Sequence, residues 1–170
     1  MRHLILGGQK SGKSRIAEQC AANSGLDVIY IATARAGDEE MHERIERHKG
    51  ARPDHWRTME IPIQLGRTLA EISQPSNLIL IDCLTLWMTN LYSELDSADR
   101  QREMDSFLGS IASVSSLIMV SNEINMGVIS MSRETRAFCD SLGLLHQQVA
   151  EICERVTLVI AGVPMPVKSA

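Results

Sequence analysis

Aromatic residues are scarce in this sequence: two Trp, two Tyr and two Phe in 170 residues. That excludes a series of rings on which the bases of a single strand would stack. Positive charge is not in excess either. Seventeen Lys and Arg stand against 21 Asp and Glu, a net charge of −4, so neither a nucleic-acid partner nor a polybasic membrane contact is expected. No apolar run approaches the ~20 residues of a membrane helix. Met1-Arg2-His3 leads directly into a short strand-like run and a glycine, with no long apolar region behind it. The expectation is a chain without a membrane segment or secretory leader, and hence cytoplasmic. Cys20, Cys83, Cys139 and Cys153 form no C-x-x-C pair and lie far apart in apolar or helical stretches. They read as reduced thiols rather than zinc ligands or a disulfide framework.

What remains is the composition of an ordinary globular domain, and the length predicts a single domain over 1–170. Short apolar runs recur at Leu4–Leu6, Val28–Ile31, Leu78–Ile81, Leu117–Val120 and Val156–Ile160. Nearly continuous apolar runs of this length are the pattern of strands covered on both faces. Helical stripes lie between them: Ile16, Ala17, Cys20 and Ala21; Leu65, Leu69 and Ile72; Met104, Phe107, Leu108 and Ile111; and a long helix from about Arg133 to Cys153. Alternation of this kind predicts an α/β fold with a mostly parallel sheet flanked by helices. The proline-bearing tail at 162–167 predicts an edge strand.

The strongest motif is Gly7-Gly8-Gln9-Lys10-Ser11-Gly12-Lys13-Ser14, which fits the P-loop pattern G-x-x-x-x-G-K-[ST] and falls between the first strand and the first helix. Glycines let backbone N–H groups curl around phosphate oxygens, and the following helix adds its positive end. Lys13 then reaches the β- and γ-phosphates, and the Ser14 hydroxyl binds Mg²⁺. Asp82 closes the Leu78–Ile81 strand, the place of a Walker B carboxylate that holds Mg²⁺ directly or through water. Glu123 follows a further strand at the same sheet edge. It reads as a group orienting the acceptor or a metal-bound water, or as a solvated loop carboxylate.

Residues 38–49 are mostly charged, with Met41, Ile45 and His48 at helical spacing and Gly50 as a stop. Taken alone, His48 reads as a helix-end histidine. Lys49 and Arg52 nearby favour its neutral, nucleophilic form and would neutralise phosphates.

Together these residues resemble a known family, the bifunctional adenosylcobinamide kinase / adenosylcobinamide-phosphate guanylyltransferases of cobalamin biosynthesis. The resemblance runs along essentially the whole chain. It is carried by Leu6–Arg15, Tyr30–Thr33, Arg44–Lys49 with Arg52-Pro53 and Trp56, Asp82–Trp87 with Thr89–Leu91, and Ser121–Glu123 with Met126-Gly127. It implies a RecA-like P-loop NTPase fold and two reactions. The aminopropanol hydroxyl of adenosylcobinamide is phosphorylated by ATP or GTP. GMP is then transferred from GTP to that phosphate through a guanylylated histidine, giving adenosyl-GDP-cobinamide and pyrophosphate. By motif match that histidine is His48, in H-K-x-x-R-P. The resemblance further implies GTP contacts at Thr33, Ala34, Arg35, Lys49, Gly50, Ala51, Arg52, Glu60 and Asp82, and a homo-oligomer, commonly a trimer.

The chain departs from the family pattern after Met126-Gly127, where Val128–Ser132 replace a Pro and an acidic residue, and at Arg47, Cys139 and His146 (the last a typical Asn). Two other readings stay open. One is a single-function small-molecule kinase with Arg133 and Arg136 as lid arginines. The other is a nucleotide-gated switch or partner-binding ATPase, against which the chain has no N-K-x-D and no D-x-x-G after Asp82.

Overall fold

The structure, a computed structural model, describes residues 1–35, 39, 53–127 and 129–169. The five apolar runs become β1 (Arg2–Gly7), β2 (Asp27–Ala32), β4 (Asn77–Asp82), β5 (Leu117–Asn122) and β6 (Arg155–Ile160). A short β3 (Arg57–Glu60) and a final β7 (Val163–Lys168) complete one sheet in the order β3-β2-β4-β5-β1-β6-β7. Every neighbouring pair is parallel except β6 with β7, so the proline-bearing tail is an antiparallel edge strand. Pro164 and Pro166 lack the N–H that a central strand would have to donate.

Among the described residues the helices are α1 (Lys13–Ala22), α2 (Leu65–Ile72), α3 (Leu84–Glu94), α4 (Ser97–Ile111) and α5 (Arg133–Ile152). Successive strand residues point to opposite faces. Ile5, Tyr30, Leu80, Val120 and Val159 meet Ala17 and Ala21 of α1 on one face. Leu4, Ile31, Ile81 and Met119 meet Leu65, Trp87, Phe107, Leu142 and Leu145 of the other four helices. Both faces are dry, which is why these strands read as unbroken apolar runs.

Two elements leave little trace in the sequence. β3 is an exposed edge strand with only Met59 partly buried, so it has no apolar run. α3 buries Leu84, Trp87, Met88 and Leu91 at the spacing of one stripe, with Thr85 beside them, but Leu86 on its opposite side packs on the other core cluster and blurs the pattern. The helical pattern over 38–49 lies, apart from Glu39, outside the described residues. No described helix is long and apolar enough to cross a membrane.

Trp87 is central to the larger core. Its ring centroid lies 4.9 Å from that of Phe107, and its Nε1 donates to the Ile63 carbonyl at 2.5 Å. Trp87→Phe retains most of the ring packing and deprives the carbonyl of its donor. The expected cost is about 1–2 kcal/mol, read as a lower urea midpoint at unchanged slope.

His3 is buried in β1, with Nε2 2.8 Å from the Thr157 hydroxyl. Burial, helped by nearby Arg155, lowers its pKa to about 4. The unfolded chain therefore takes up this proton first. The stability associated with neutral His3 is complete above pH 6.5 and falls as the pH drops from 6.5 to about 4, by up to about 3 kcal/mol. His3→Gln is expected to flatten that part of the stability–pH curve, measured by denaturant unfolding at successive pH values.

Candidate active site

The carboxyl ends of β1, β4 and β5 lie side by side, and each delivers one predicted group. β1 ends at Gly7, and the loop 8–12 carries the chain into α1. Gly7 has no room for a side chain: a Cβ there would sit 2.6 Å from the Val159 carbonyl oxygen. Gly12 is the α1 cap, in the left-handed region at φ 95°, and offers no side-chain acceptor to the helix. The first N–H groups of α1 therefore remain available to an anion. The loop is buttressed from β6–β7, where Gly162 N donates to the Ser11 carbonyl at 2.8 Å. Lys13 is buried, and its Nζ donates across the loop to the Gly8 carbonyl at 3.1 Å. Gln9, Lys10 and Ser14 complete this turn, Lys10 with a positive φ of 55°.

Asp82 ends β4 on the α1 face. Tyr30 on β2 pairs with Leu80, which puts its ring diagonally beside Asp82. The Tyr30 hydroxyl donates to Asp82 Oδ2 at 2.9 Å. The carboxylate is thus aimed by a buried phenol. Thr33 follows β2 and is fully buried. Its hydroxyl donates to the Cys83 carbonyl at 2.7 Å and accepts from Cys83 N at 2.9 Å. Its own carbonyl accepts from Asn90 Nδ2 at 2.8 Å. Thr33 therefore ties the end of β2 to the end of β4, and the chain leaves through Ala34 to Arg35.

Glu123 lies just past β5, beside the phosphate loop: its N–H donates to the Gly7 carbonyl at 3.0 Å. One carboxylate oxygen, Oε1, accepts from Asn125 N at 2.7 Å. Arg35 pairs with Glu94 at 2.8 Å and also lines, with Glu60, Gln64, Thr68, Asp99 and Arg102, a cavity of about 540 Å³ between the end of β3 and α4. His48, Lys49, Gly50, Ala51 and Arg52 lie outside the described residues. Of the two arginines considered for a lid, Arg136 is bound to the carbonyls of Ser130 and Met131 at 2.9 and 2.8 Å.

Comparison with protein-family models matches residues 3–167 to cobinamide kinase / cobinamide phosphate guanyltransferase. The chain belongs to this family. Among curated relatives of the cobinamide kinase / guanyltransferase family, a Pseudomonas aeruginosa protein is 49% identical, covering 99% of this chain and 98% of its own. It is named bifunctional adenosylcobalamin biosynthesis protein CobP. The Escherichia coli protein of the corresponding name, CobU, is 35% identical over 99% of this chain and its whole length. Solved structures similar in fold include a RadB recombinase, with TM-score 0.54 and 15% identity over 92% of this chain and 73% of that one. Another is a type III secretion ATPase, with TM-score 0.54 and 12% identity over 92% of this chain and 51% of that one. The fold is therefore the RecA-like P-loop architecture expected from the sequence.

Several groups in this family member's site have contacts that only the tertiary structure sets. Tyr30 is one, because only the β2–β4 register puts it on Asp82. A second set lies behind Glu123: Thr85 on α3, Ser121 on β5 and His146 on α5, all buried. Asn122 N donates to Thr85 Oγ1 at 2.7 Å, Thr85 Oγ1 lies 3.0 Å from Ser121 Oγ, and Ser121 Oγ lies 2.7 Å from His146 Nε2. Burial lowers the His146 pKa and Glu123 opposes that shift. In the sequence Thr85 and Ser121 lie within blocks that carry the resemblance and His146 is one of the departures from it, but no local pattern joins the three.

Proposed function

We propose that this chain phosphorylates the aminopropanol hydroxyl of adenosylcobinamide with ATP or GTP, then transfers GMP from GTP to the new phosphate through a guanylylated His48. The products are adenosyl-GDP-cobinamide and pyrophosphate. The observation that carries the reading is the meeting of the phosphate loop, Asp82 and Glu123 at one edge of the sheet in a chain of this family.

In the first step the acceptor oxygen attacks the γ-phosphorus, the bond to the β-phosphate oxygen breaks and the nucleoside diphosphate leaves. The loop amides over residues 7–14 cradle the phosphates, and Lys13 moves its ammonium from the Gly8 carbonyl toward the β- and γ-oxygens. Glu123 orients the acceptor hydroxyl and takes its proton. In the second step a neutral imidazole nitrogen of His48 attacks the α-phosphorus and pyrophosphate leaves. The cobinamide phosphate then displaces the histidine. Lys49 and Arg52 offset phosphate charge. Glu60 and Arg35, which both line the cavity beside α4, supply the pattern a guanine ring needs: a carboxylate for its N–H donors and a cation for its carbonyl.

The donor set at Ser14 and Asp82 is oxygen only, which suits Mg²⁺. No described group of three or more His, Cys, Asp or Glu forms a metal cage by itself, the usual situation where substrate phosphates complete the shell. Ser14 and Asp82 would hold the ion, which supplies charge neutralisation between the phosphates. The partner is the corrinoid, with the chain acting as one nucleotide-binding domain. Self-association, a trimer by family resemblance, is supported by the exposed apolar side chains of Val163, Met165 and Val167 on the edge strand β7.

The test is GTP radiolabelled at the α-phosphate, mixed with Mg²⁺ and protein without corrinoid, then denatured. Protein-bound label that is acid-labile and alkali-stable is expected. Label that is absent from a folded, GTP-binding protein leaves the plain kinase reading instead.

A further inference from the structure

His146 is 6% exposed, yet its Nδ1 has no hydrogen-bond partner among the described residues. A buried ring nitrogen left unpaired costs free energy and calls for a reason. Glu123 Oε2 lies 4.0 Å from it, on a side chain 15% exposed. The other ring nitrogen is well bound, 2.7 Å from Ser121 Oγ.

Counting protons assigns the tautomer. Thr85 Oγ1 accepts the Asn122 N–H, and the described acceptor within reach of its own proton is Ser121 Oγ, 3.0 Å away. The Ser121 proton is then directed at His146 Nε2, which must be the acceptor. The ring proton is left on Nδ1, aimed at the Glu123 carboxylate. In the reverse arrangement Nε2–H donates to Ser121, the Thr85 proton has no described acceptor, and a bare Nδ1 lone pair faces an anionic oxygen. The first arrangement gives both hydroxyl protons an acceptor and aims the Nδ1–H at the carboxylate 4.0 Å away; the second leaves the Thr85 proton without an acceptor and sets a lone pair against an anion.

We propose that His146 is a positioning residue for the kinase step: relayed from Thr85 through Ser121, its Nδ1–H holds Glu123 Oε2 while Asn125 N holds Oε1, so that the carboxylate faces the acceptor hydroxyl in one orientation. A small rotation of the Glu123 side chain converts the 4.0 Å separation into a hydrogen bond of about 2.8 Å. Because Glu123 N is bonded to the Gly7 carbonyl, the relay acts on a side chain whose backbone is tied to the start of the phosphate loop. The inference rests on the acceptor-orienting role given to Glu123 above.

The test joins a spectroscopic and a kinetic readout on the full chain. Nitrogen-15 NMR of labelled histidine is expected to show His146 protonated on Nδ1 and bare on Nε2, with the preference lost in Ser121→Ala. Kinase assays then compare two replacements. Asn places an amide where Nδ1 was, facing Glu123; Gln places one where Nε2 was, facing Ser121. His146→Gln and His146→Leu are expected to lower kcat about 30-fold at unchanged nucleotide KM, and His146→Asn to recover most of that loss. Glu123→Gln is run beside them. An Nε2–H tautomer, or His146→Gln at wild-type kcat while Glu123→Gln is impaired, overturns the positioning role and leaves Glu123 in place. Glu123→Gln at wild-type kcat removes the reading of Glu123 itself, and the proposal with it.

Discussion

His48→Ala is expected to remove GMP transfer, lowering it by at least about 10⁴-fold, with a far smaller effect on phosphoryl transfer. The asymmetry follows from where each reaction breaks its bond. Phosphoryl transfer cleaves between the β- and γ-phosphates, and the nucleophile is the corrinoid hydroxyl, so the protein supplies position and charge. GMP transfer cleaves between the α- and β-phosphates, and in the proposed route an imidazole nitrogen is the nucleophile. Alanine leaves no atom there to form the phosphoramidate. The measurement is a pair of assays on one preparation: label from α-labelled GTP bound to protein, and formation of cobinamide phosphate. Retention of bound label in His48→Ala would place the nucleophile elsewhere. Loss of both activities together would point to misfolding or to a shared role.

Lys13→Ala is expected to lower kcat/KM of the kinase step by on the order of 10⁴-fold, about 5.5 kcal/mol of transition-state stabilisation. Lys13 is buried in the turn between β1 and α1, and its Nζ holds the Gly8 carbonyl at 3.1 Å. It is a cation held within reach of the phosphates by the loop that binds them. Charge that develops on the γ-phosphate and its leaving oxygen meets a preorganised ammonium instead of reorienting water. Loss of the bond to the Gly8 carbonyl costs about 1 kcal/mol, so thermal unfolding should move far less than activity. Lys13→Arg is expected to rescue poorly, because a planar guanidinium does not fit a space shaped for a compact ammonium. If one loop serves both reactions, GMP transfer falls in the same variants. Kinase activity within tenfold of wild type in Lys13→Ala would remove the phosphate loop from the chemistry.

The reach of the sequence differs from element to element. Leu78–Ile81 could be read as a buried strand because both faces are covered, and that alone put Asp82 at its carboxyl end. The same reasoning put Gly7–Ser14 after the first strand and Glu123 after β5. β3 escaped because an exposed edge strand needs no apolar run, and α3 because Leu86, packed on the other core cluster, adds an apolar residue opposite its buried stripe. Thr33 shows a different limit. The resemblance gives it a GTP contact, while the structure commits its hydroxyl to both backbone groups of Cys83. That anchoring of β2 to β4 is invisible in the sequence, because Thr33 and Cys83 lie 50 residues apart.

Local sequence by itself determined the parallel α/β architecture, the phosphate loop and the strand-end carboxylates. These are properties of neighbouring residues: a periodicity, a turn that needs glycine, a side chain at the end of a run. The transfer role proposed for His48 came from the family resemblance and not from its neighbours, beside which it reads as a helix-end histidine. Only the tertiary structure decided that Tyr30 aims Asp82, that Thr33 joins β2 to β4, and that His146, Ser121 and Thr85 stand behind Glu123. Each of those contacts joins residues 25 or more positions apart. They depend on strand order and register, which place β5 between β1 and β4. A pairing decided by register leaves no local pattern, because either partner alone is simply a polar residue near the end of an apolar element.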